Sequence, residues 1–270
     1  MKVGIVGYGI VGQALEHAFS SYSDIYIVDP EIPNTMSIEE MLQEEPAYVF
    51  VCVPTPEGTN GQCDISIVTD VINDIFAYIK SNLIVILKST IDPLSIVKLT
   101  AIRKSFGMVY NPEFLVQATA HDDILNPSMQ ILGGDKQETD MVSNLYRNFS
   151  DIRTAKEFHV DFTTASLAKY SINSYLATKV TFMNSIRAIH SASESDSTFE
   201  ELTEIITTDP RISDSHTKVP GDDGSYGYTG KCLPKDIKAF SHYTSTLEPI
   251  PTTILSHIIL LNDIFTALDK

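Results

Sequence analysis

The sequence predicts an α/β protein with a doubly wound, parallel sheet in its first half and a mainly helical second half. Three observations support this fold class. Short β-rich runs alternate with helix-like segments from the N-terminus to about residue 149, as in chains built from βαβ units. Tyr48–Val53 is a continuous apolar run, typical of a strand buried on both faces. Apolar residues recur at helical spacing from Asp161 to Ser193, which predicts one helix of roughly 30 residues.

The same patterns place the individual elements. The predicted strands are Lys2–Val6, Ile25–Val28, Tyr48–Val53, Leu83–Leu87, Met108–Tyr110 and Met129–Leu132. The other predicted helices are Gly12–Ser20, Ser37–Gln43, Asp64–Lys80, Pro93–Ser105, Lys136–Phe149 and Ile254–Leu268. Ser37 and Glu40 have the spacing of a capping box. Asp209–Gly230, with four glycines and two prolines, reads as a loop. We expect two domains, residues 1–155 and 156–270.

Composition narrows the class of partner. The chain has 270 residues and a formal net charge of −16, which disfavours general binding to nucleic acid or to anionic membrane surfaces. Its three cysteines form no CxxC pair, a usage typical of a reducing compartment. The sequence shows no leader pattern, and no apolar stretch approaches the roughly 20 residues that span a bilayer. We therefore expect a soluble, cytoplasmic protein.

A glycine motif after the first strand predicts a dinucleotide site. Gly7-Tyr8-Gly9-Ile10-Val11-Gly12 matches GxGxxG between a strand and a helix. Gly7 allows the tight turn, Gly9 the approach of a pyrophosphate, and Gly12 the packing of helix on strand, as in a Rossmann domain. Asp29, at the end of the second strand, can accept hydrogen bonds from ribose hydroxyls, which favours NAD over NADP. The alternative is a glycine-rich turn that holds no cofactor.

Six further motifs occur along the chain. They are Val53-Pro54-Thr55-Pro56, Lys88-Ser89-Thr90, Tyr110-Asn111-Pro112-Glu113-Phe114-Leu115, Lys169-Tyr170-Ser171-Ile172-Asn173, Asp209-Pro210-Arg211-Ile212 and Gly227-Tyr228-Thr229-Gly230-Lys231-Cys232-Leu233-Pro234-Lys235-Asp236. In this order and at these separations, the set resembles the UDP-glucose/GDP-mannose dehydrogenase family over essentially the whole chain.

The resemblance implies a fold and a reaction. It implies oxidation of the C6 alcohol of a nucleotide sugar to a carboxylate, using two NAD per sugar and no metal, in the synthesis of surface polysaccharide. It also implies a Rossmann domain, a homodimer through the long helix, and a C-terminal domain that holds the nucleotide. We expect a short form that lacks this last domain.

Cys232 is the candidate nucleophile by resemblance. Oxidising an aldehyde by hydride transfer needs an adduct at the aldehyde carbon, and a thiolate forms one. Cys232 is the only cysteine in the glycine-rich loop, and Lys231 and Lys235 beside it favour the thiolate. The structural alternative, a small buried apolar residue, suits Cys52 in mid-strand better than Cys232.

The resemblance also implies roles for other residues. Lys169 and Asn173, one turn apart on a helix, would stabilise an oxyanion. Glu113, Asp236 and Thr90 would manage the attacking water. The NAD contacts would be Gly7, Tyr8, Gly9, Ile10, Val11, Gly12, Asp29, Val53, Pro54, Thr55, Ser89, Thr90, Gln117 and Lys235. The substrate contacts would be Glu113, Phe114, Leu115, Lys169, Asn173, Arg211, Gly227 and Gly230, with Arg211 reaching the neighbouring subunit.

Structural alternatives stay open for three of these residues. Lys169 would by default lie on a solvated helix face, Thr90 would cap the helix that begins near Pro93, and Arg211 alone has no assigned role.

The family pattern is broken at several positions. Gln117 stands where the family usually has a glutamate, Ser166 replaces another glutamate, and Thr229 replaces a glycine. Two other functions therefore remain open. One is a two-domain β-hydroxyacid-type dehydrogenase, whose chemistry needs no cysteine loop. The other is a non-catalytic module that binds NAD.

Overall fold

The structure is a computed structural model that describes residues 1–79, 82–102, 106–153, 155–247 and 253–268, without the side chains of Ile102 and Gln117. The strands in these residues are β1 (Lys2–Val6), β2 (Asp24–Val28), β3 (Tyr48–Val51), β4 (Ile84–Leu87), β5 (Gly107–Tyr110), β6 (Met129–Gly134) and β7 (Lys156–Val160). The α-helices are α1 (Ile10–Phe19), α2 (Ile38–Gln43), α3 (Ser66–Tyr78), α4 (Pro93–Ile102), α5 (Ala120–Leu125), α6 (Lys136–Phe149), α7 (Phe162–Ala192), α8 (Phe199–Thr208), α9 (Leu233–Ser245) and α10 (Thr253–Ala267). The predicted helix ends at Lys80 and Ser105 lie outside the described residues.

All seven strands form one sheet, in the order β2-β1-β3-β4-β5-β6-β7. The first five strands are parallel, which confirms the predicted α/β class. The strand order reverses at β1, with β2 on one side and β3 on the other, and such a switch point is where open α/β sheets bind ligands. The remaining two strands, β6 and β7, are parallel to each other. β6 runs antiparallel to β5, so the sheet is mixed at this edge.

Two apolar cores cover the two faces of this sheet, as a doubly wound fold requires. Alternate residues of each central strand supply opposite cores. In β4, Val85 and Leu87 belong to the core formed with α2, α3 and α4, whereas Ile84 and Ile86 belong to the core formed with α1 and α6. Strands buried on both faces read as continuous apolar runs, which is why the sequence locates them.

Contacts divide the chain into two compact units. The first comprises Met1–Pro56 and Cys63–Lys169, and the second comprises Glu57–Gln62 and Tyr170–Lys270. In the second unit, small apolar cores pack α7 against α9 and α10 and against α8. The prediction of one long helix is confirmed, because α7 runs for 31 residues.

Short or half-exposed elements escaped the sequence patterns. β7 is an edge strand in which no residue is fully buried, so its apolar signal is weak. The helices α5, α8 and α9 also went unpredicted. Among the helices that the structure describes, none has both the length and the apolar character needed to cross a membrane.

Candidate functional site

The glycine turn between β1 and α1 has one position that only a ligand would restrict. A Cβ on Gly7 would lie 2.8 Å from the Cys52 backbone, and one on Gly12 would lie 2.2 Å from the Gly7 carbonyl oxygen. The protein's own backbone therefore requires both glycines. A Cβ on Gly9 would meet no heavy atom within 4 Å, and its φ of −74° suits any residue. Gly9 thus leaves open space at the N-terminus of α1, where backbone N–H groups attract an anion.

Asp29 lies directly beside this turn. One carboxylate oxygen accepts a hydrogen bond from the Tyr8 N–H at 2.6 Å, and the other accepts one from the Glu31 N–H at 2.8 Å. The two bonds fix the carboxylate at the end of β2. On the other side of the turn the Tyr8 hydroxyl donates to Glu16, a bond that raises the pKa of Tyr8 to about 12. Ile10, which is exposed, and Val11 open α1.

The predicted cofactor residues after β3 and β4 meet at the next strand ends. Ser89 Oγ donates to the Val53 carbonyl oxygen at 2.6 Å, and Thr55 Oγ1 donates to the Thr90 carbonyl oxygen at 2.8 Å. Pro54 lies between these partners in sequence. These bonds join the segments that follow two adjacent parallel strands.

Asp92, not Thr90, caps α4. Its Oδ1 accepts from the N–H groups of Leu94 at 3.0 Å and Ser95 at 3.1 Å. The structural alternative for Thr90 is therefore wrong, because the first orphan donors of α4 already bond Asp92.

Lys169 is buried in the first unit against the segment after β5. Its ammonium donates to the Glu113 carbonyl oxygen, lies 3.7 Å from Glu113 Oε1, and is 4.7 Å from the centroid of the Phe114 ring. Only 4% of Lys169 is exposed, so the alternative of a solvated helix face is wrong. Glu113 Oε2 also accepts from the Leu115 N–H at 2.6 Å. The structure thus brings together Glu113, Phe114, Leu115 and Lys169.

A second cluster lies within the second unit. Asn173 Nδ2 donates to Asp236 Oδ2 at 2.6 Å, and Lys235 Nζ donates to Asp236 Oδ1 at 2.6 Å. Asp236 is only 1% exposed, and Asn173 is buried as well. A buried carboxylate is stable when both of its oxygens bond donors and one donor is a cation.

Cys232 occupies the N-cap position of α9 and is exposed. Asp236 is one turn further along this helix, whose first turn also contains Pro234. Gly227 and Gly230, in the preceding loop, have φ angles of +73° and +77°. Arg211 is mostly exposed and forms a fork with its neighbour Asp209 through Nε and Nη2. Its expected role at another subunit stays a prediction, as does the NAD contact of Gln117, whose side chain lies outside the described part of the chain.

Sequence reasoning missed Lys88 as a site residue. Lys88 is 3% exposed and lines a cavity of about 260 Å³ together with Glu113 and Gln130. Its Nζ donates to Asn111 Oδ1 at 2.7 Å, and the same oxygen accepts from the Tyr146 hydroxyl at 2.6 Å. Burial lowers the pKa of Lys88 to about 8. A lysine at the end of an otherwise apolar strand was the available signal.

Comparison with known proteins identifies this arrangement. The model of the UDP-glucose/GDP-mannose dehydrogenase family, NAD binding domain, matches residues 29–150, and the model of the family's central domain matches residues 163–263. The UDP-glucose 6-dehydrogenase of Rickettsia bellii is 31% identical over a stretch that covers 85% of this chain and 49% of that protein. The chain spans about half the length of that protein and of the two other Rickettsia UDP-glucose 6-dehydrogenases that it matches, from Rickettsia conorii and Rickettsia felis.

Solved structures show the same fold. A UDP-glucose dehydrogenase from Pyrobaculum islandicum superposes with a TM-score of 0.83 at 22% identity, covering 97% of this chain and 68% of that one. The 3-hydroxyisobutyrate dehydrogenase of Mycobacterium tuberculosis superposes with a TM-score of 0.77 at 18% identity, covering 98% and 94%. Both likenesses concern the fold alone. The two family models together span most of the sequence, and the chain belongs to the UDP-glucose/GDP-mannose dehydrogenase family.

Proposed function

We propose that this chain oxidises the C6 alcohol of a nucleotide sugar to a carboxylate, with NAD as the hydride acceptor and Cys232 as the covalent nucleophile. The observation that carries the proposal is the second-unit cluster. Cys232 is the N-cap of α9, and one turn later the buried Asp236 accepts a hydrogen bond from the amide of Asn173. A simple alcohol dehydrogenation needs neither a thiol nor this carboxylate, whereas thioester formation and hydrolysis use both.

The residues of the glycine turn fit NAD. Gly9 leaves the space that a pyrophosphate needs at the N-terminus of α1, and Asp29 sets a carboxylate at the end of β2. This carboxylate suits ribose hydroxyls and repels a 2′-phosphate. Tyr8, Ile10, Val11, Val53, Pro54, Thr55, Ser89, Thr90, Gln117 and Lys235 would complete the contacts. Bound NAD would accept the hydride in each of the two oxidations, so each sugar would use two NAD.

The thiol makes the second oxidation possible. The first oxidation converts the C6 alcohol to an aldehyde with release of a hydride and a proton. The Cys232 thiolate then adds to the aldehyde carbon, and the resulting thiohemiacetal loses its hydride to become a thioester. Water adds to the thioester carbon and the thiolate leaves, so the product is a carboxylate and the thiol is regenerated.

The buried polar groups would stabilise these changes in charge. The Lys169 ammonium and the Asn173 amide are donors for the alkoxide-like oxygens that develop at C6. Glu113 and Asp236 would accept protons from the attacking water, and Thr90 would orient it. Phe114, Leu115, Gly227, Gly230 and Arg211 would contact the sugar nucleotide.

We further propose that the protein is a homodimer through α7 and that it is cytoplasmic. The domain boundary between residues 155 and 156 stays a prediction. Tyr175, Phe182 and Ile189 recur every seven residues along α7, and each is more than half exposed. Large apolar side chains in such a row favour association with a second helix. The proposed cytoplasmic location is supported by the three cysteines, which form no CxxC pair, as is typical of a reducing compartment.

The alternative of a two-domain dehydrogenase stays open. This chain covers 94% of the 3-hydroxyisobutyrate dehydrogenase chain, so a dehydrogenase chain of this fold can be about as long as this one. An oxidation of this kind transfers one hydride per substrate and needs no thiol. A third possibility is a relative that binds NAD without catalysis.

A single assay separates these functions. NADH absorbance is followed with NAD and a panel of UDP-glucose, GDP-mannose, UDP-N-acetylhexosamines and 3-hydroxy acids, using the wild-type protein and Cys232→Ala. We expect two NADH per nucleotide sugar, with turnover lost in Cys232→Ala. One NADH per hydroxy acid in both proteins would instead establish the two-domain dehydrogenase. If no substrate gave NADH but NAD still raised Tm, the protein would bind the cofactor without catalysing the proposed reaction.

A further inference from the structure

The loop that leads to Cys232 is closely packed at Gly227. Gly224 and Gly230 both have positive φ angles, and a Cβ at either would meet no heavy atom within 4 Å. Gly227 differs, because a Cβ there would lie 2.5 Å from Asn262 Oδ1 and 3.0 Å from Thr266 Cγ2. A side chain would therefore fit at Gly224 and Gly230 but not at Gly227.

Two buried asparagines from two helices hold the backbone at this point. Asn262 of α10 accepts from the Tyr228 N–H at 2.6 Å and donates through Nδ2 to the Tyr228 carbonyl oxygen at 3.1 Å. Asn184 of α7 accepts from the Gly227 N–H at 3.0 Å. Asn262 is 6% exposed and Asn184 is 3% exposed, so no water replaces these partners at low cost. We call the two side chains the asparagine clamp.

The clamp lies close to the proposed nucleophile. Tyr228 is four residues before Cys232, and α9 begins at the next residue, Leu233. The ring of Tyr228 packs with Ile237 of α9 in the same apolar core. The short segment that carries the thiol thus runs between a clamped residue and a helix that shares its core.

We propose that Asn262, with Asn184, is a positioning residue that holds Cys232 at the N-terminus of α9. This proposal rests on the proposed role of Cys232. Nothing in the clamp needs to touch a substrate, because it acts on the backbone of Gly227 and Tyr228. The helix α10 therefore helps to position the Cys232 thiol, because it carries Asn262.

The proposal predicts a change in thiol chemistry. A helix N-terminus favours the thiolate of a cysteine placed on it. Releasing the loop lets Cys232 leave this position, which lowers the thiolate fraction at neutral pH. Only the thiolate reacts rapidly with an alkylating reagent. The rate of alkylation therefore reports the position of Cys232 without any substrate.

The experiment measures alkylation of Cys232 by iodoacetamide at pH 7, followed by peptide mass spectrometry, in the full chain. Wild type is compared with Asn262→Ala and with Val142→Ala, which removes buried side-chain volume from the first unit instead. We expect the rate constant to fall at least threefold in Asn262→Ala and to stay at the wild-type value in Val142→Ala. If Asn262→Ala does not fold, Asn184→Ala, which removes the acceptor for the Gly227 N–H, takes its place.

Two results would overturn the proposal. One is an unchanged alkylation rate in the clamp variant, and the other is an equal fall in Val142→Ala, which would mean that global stability controls the reactivity of the thiol. Failure of the proposed function has a different signature, since a protein without dehydrogenase activity would still show the difference in alkylation.

Discussion

Replacing Gly9 by alanine should weaken NAD binding while leaving the stability of the free protein nearly unchanged. The new methyl group meets no protein atom within 4 Å, and the φ of −74° is allowed for alanine. Lower entropy of the unfolded chain stabilises the variant by about 0.4–1 kcal/mol, and the poorer N-cap costs about the same. We therefore expect a net change in the free energy of unfolding within about 1 kcal/mol.

The expected loss of NAD affinity follows from the position of the new methyl group. At the N-terminus of α1 it occupies the space in which a phosphate would approach backbone N–H groups. Losing one or two hydrogen bonds to a charged group costs about 1.5–3 kcal/mol each, so Kd for NAD should rise by at least about tenfold.

Gly12→Ala is the matched control. Its methyl would lie 2.2 Å from the Gly7 carbonyl oxygen, so the backbone must shift, at a cost of about 1–3 kcal/mol. Tm measured without ligand should fall by several degrees in Gly12→Ala and stay near the wild-type value in Gly9→Ala. Calorimetric titration gives Kd. A Gly9→Ala protein that binds NAD as tightly as wild type would refute the placement of the pyrophosphate.

Three further predictions concern other parts of the molecule. Burial lowers the pKa of Lys88 from 10.5 to about 8, so the unfolded chain binds more protons than the folded chain between these values, and stability gains up to roughly 3 kcal/mol as pH rises through them. Urea unfolding at pH 8 and pH 10 should show this gain in wild type relative to Lys88→Met; equal pH dependence in both would contradict it. Asp92→Ala should lower the free energy of unfolding by about 1 kcal/mol, because α4 loses its cap, and an unchanged urea midpoint would count against that role. Phe182→Glu should convert the proposed dimer to a monomer in light scattering, whereas Ile205→Glu, on the exposed face of α8, should not; a wild-type monomer would reject the interface.

Features that depend on residues close together in the chain were predictable from the sequence. The capping box of Ser37 and Glu40 is present, and the glycine turn follows β1 as expected. The central strands and the long α7 were also found, because continuous burial and helical periodicity both leave a local pattern. The motifs indicated the family for the same reason, since their order and spacing are properties of the chain alone.

Which of the candidate side chains contact one another could be seen only in the folded structure. Lys169 bonds Glu113 across 56 positions, and Asn173 bonds Asp236 across 63. Lys88 shares Asn111 with Tyr146, and Asn262 reaches Tyr228 from the last helix. No local pattern encodes such pairs, because a buried polar group is stable only when the fold supplies its partner. The antiparallel direction of β6 is likewise a property of the folded sheet, because strand pairing joins residues that are distant in the sequence.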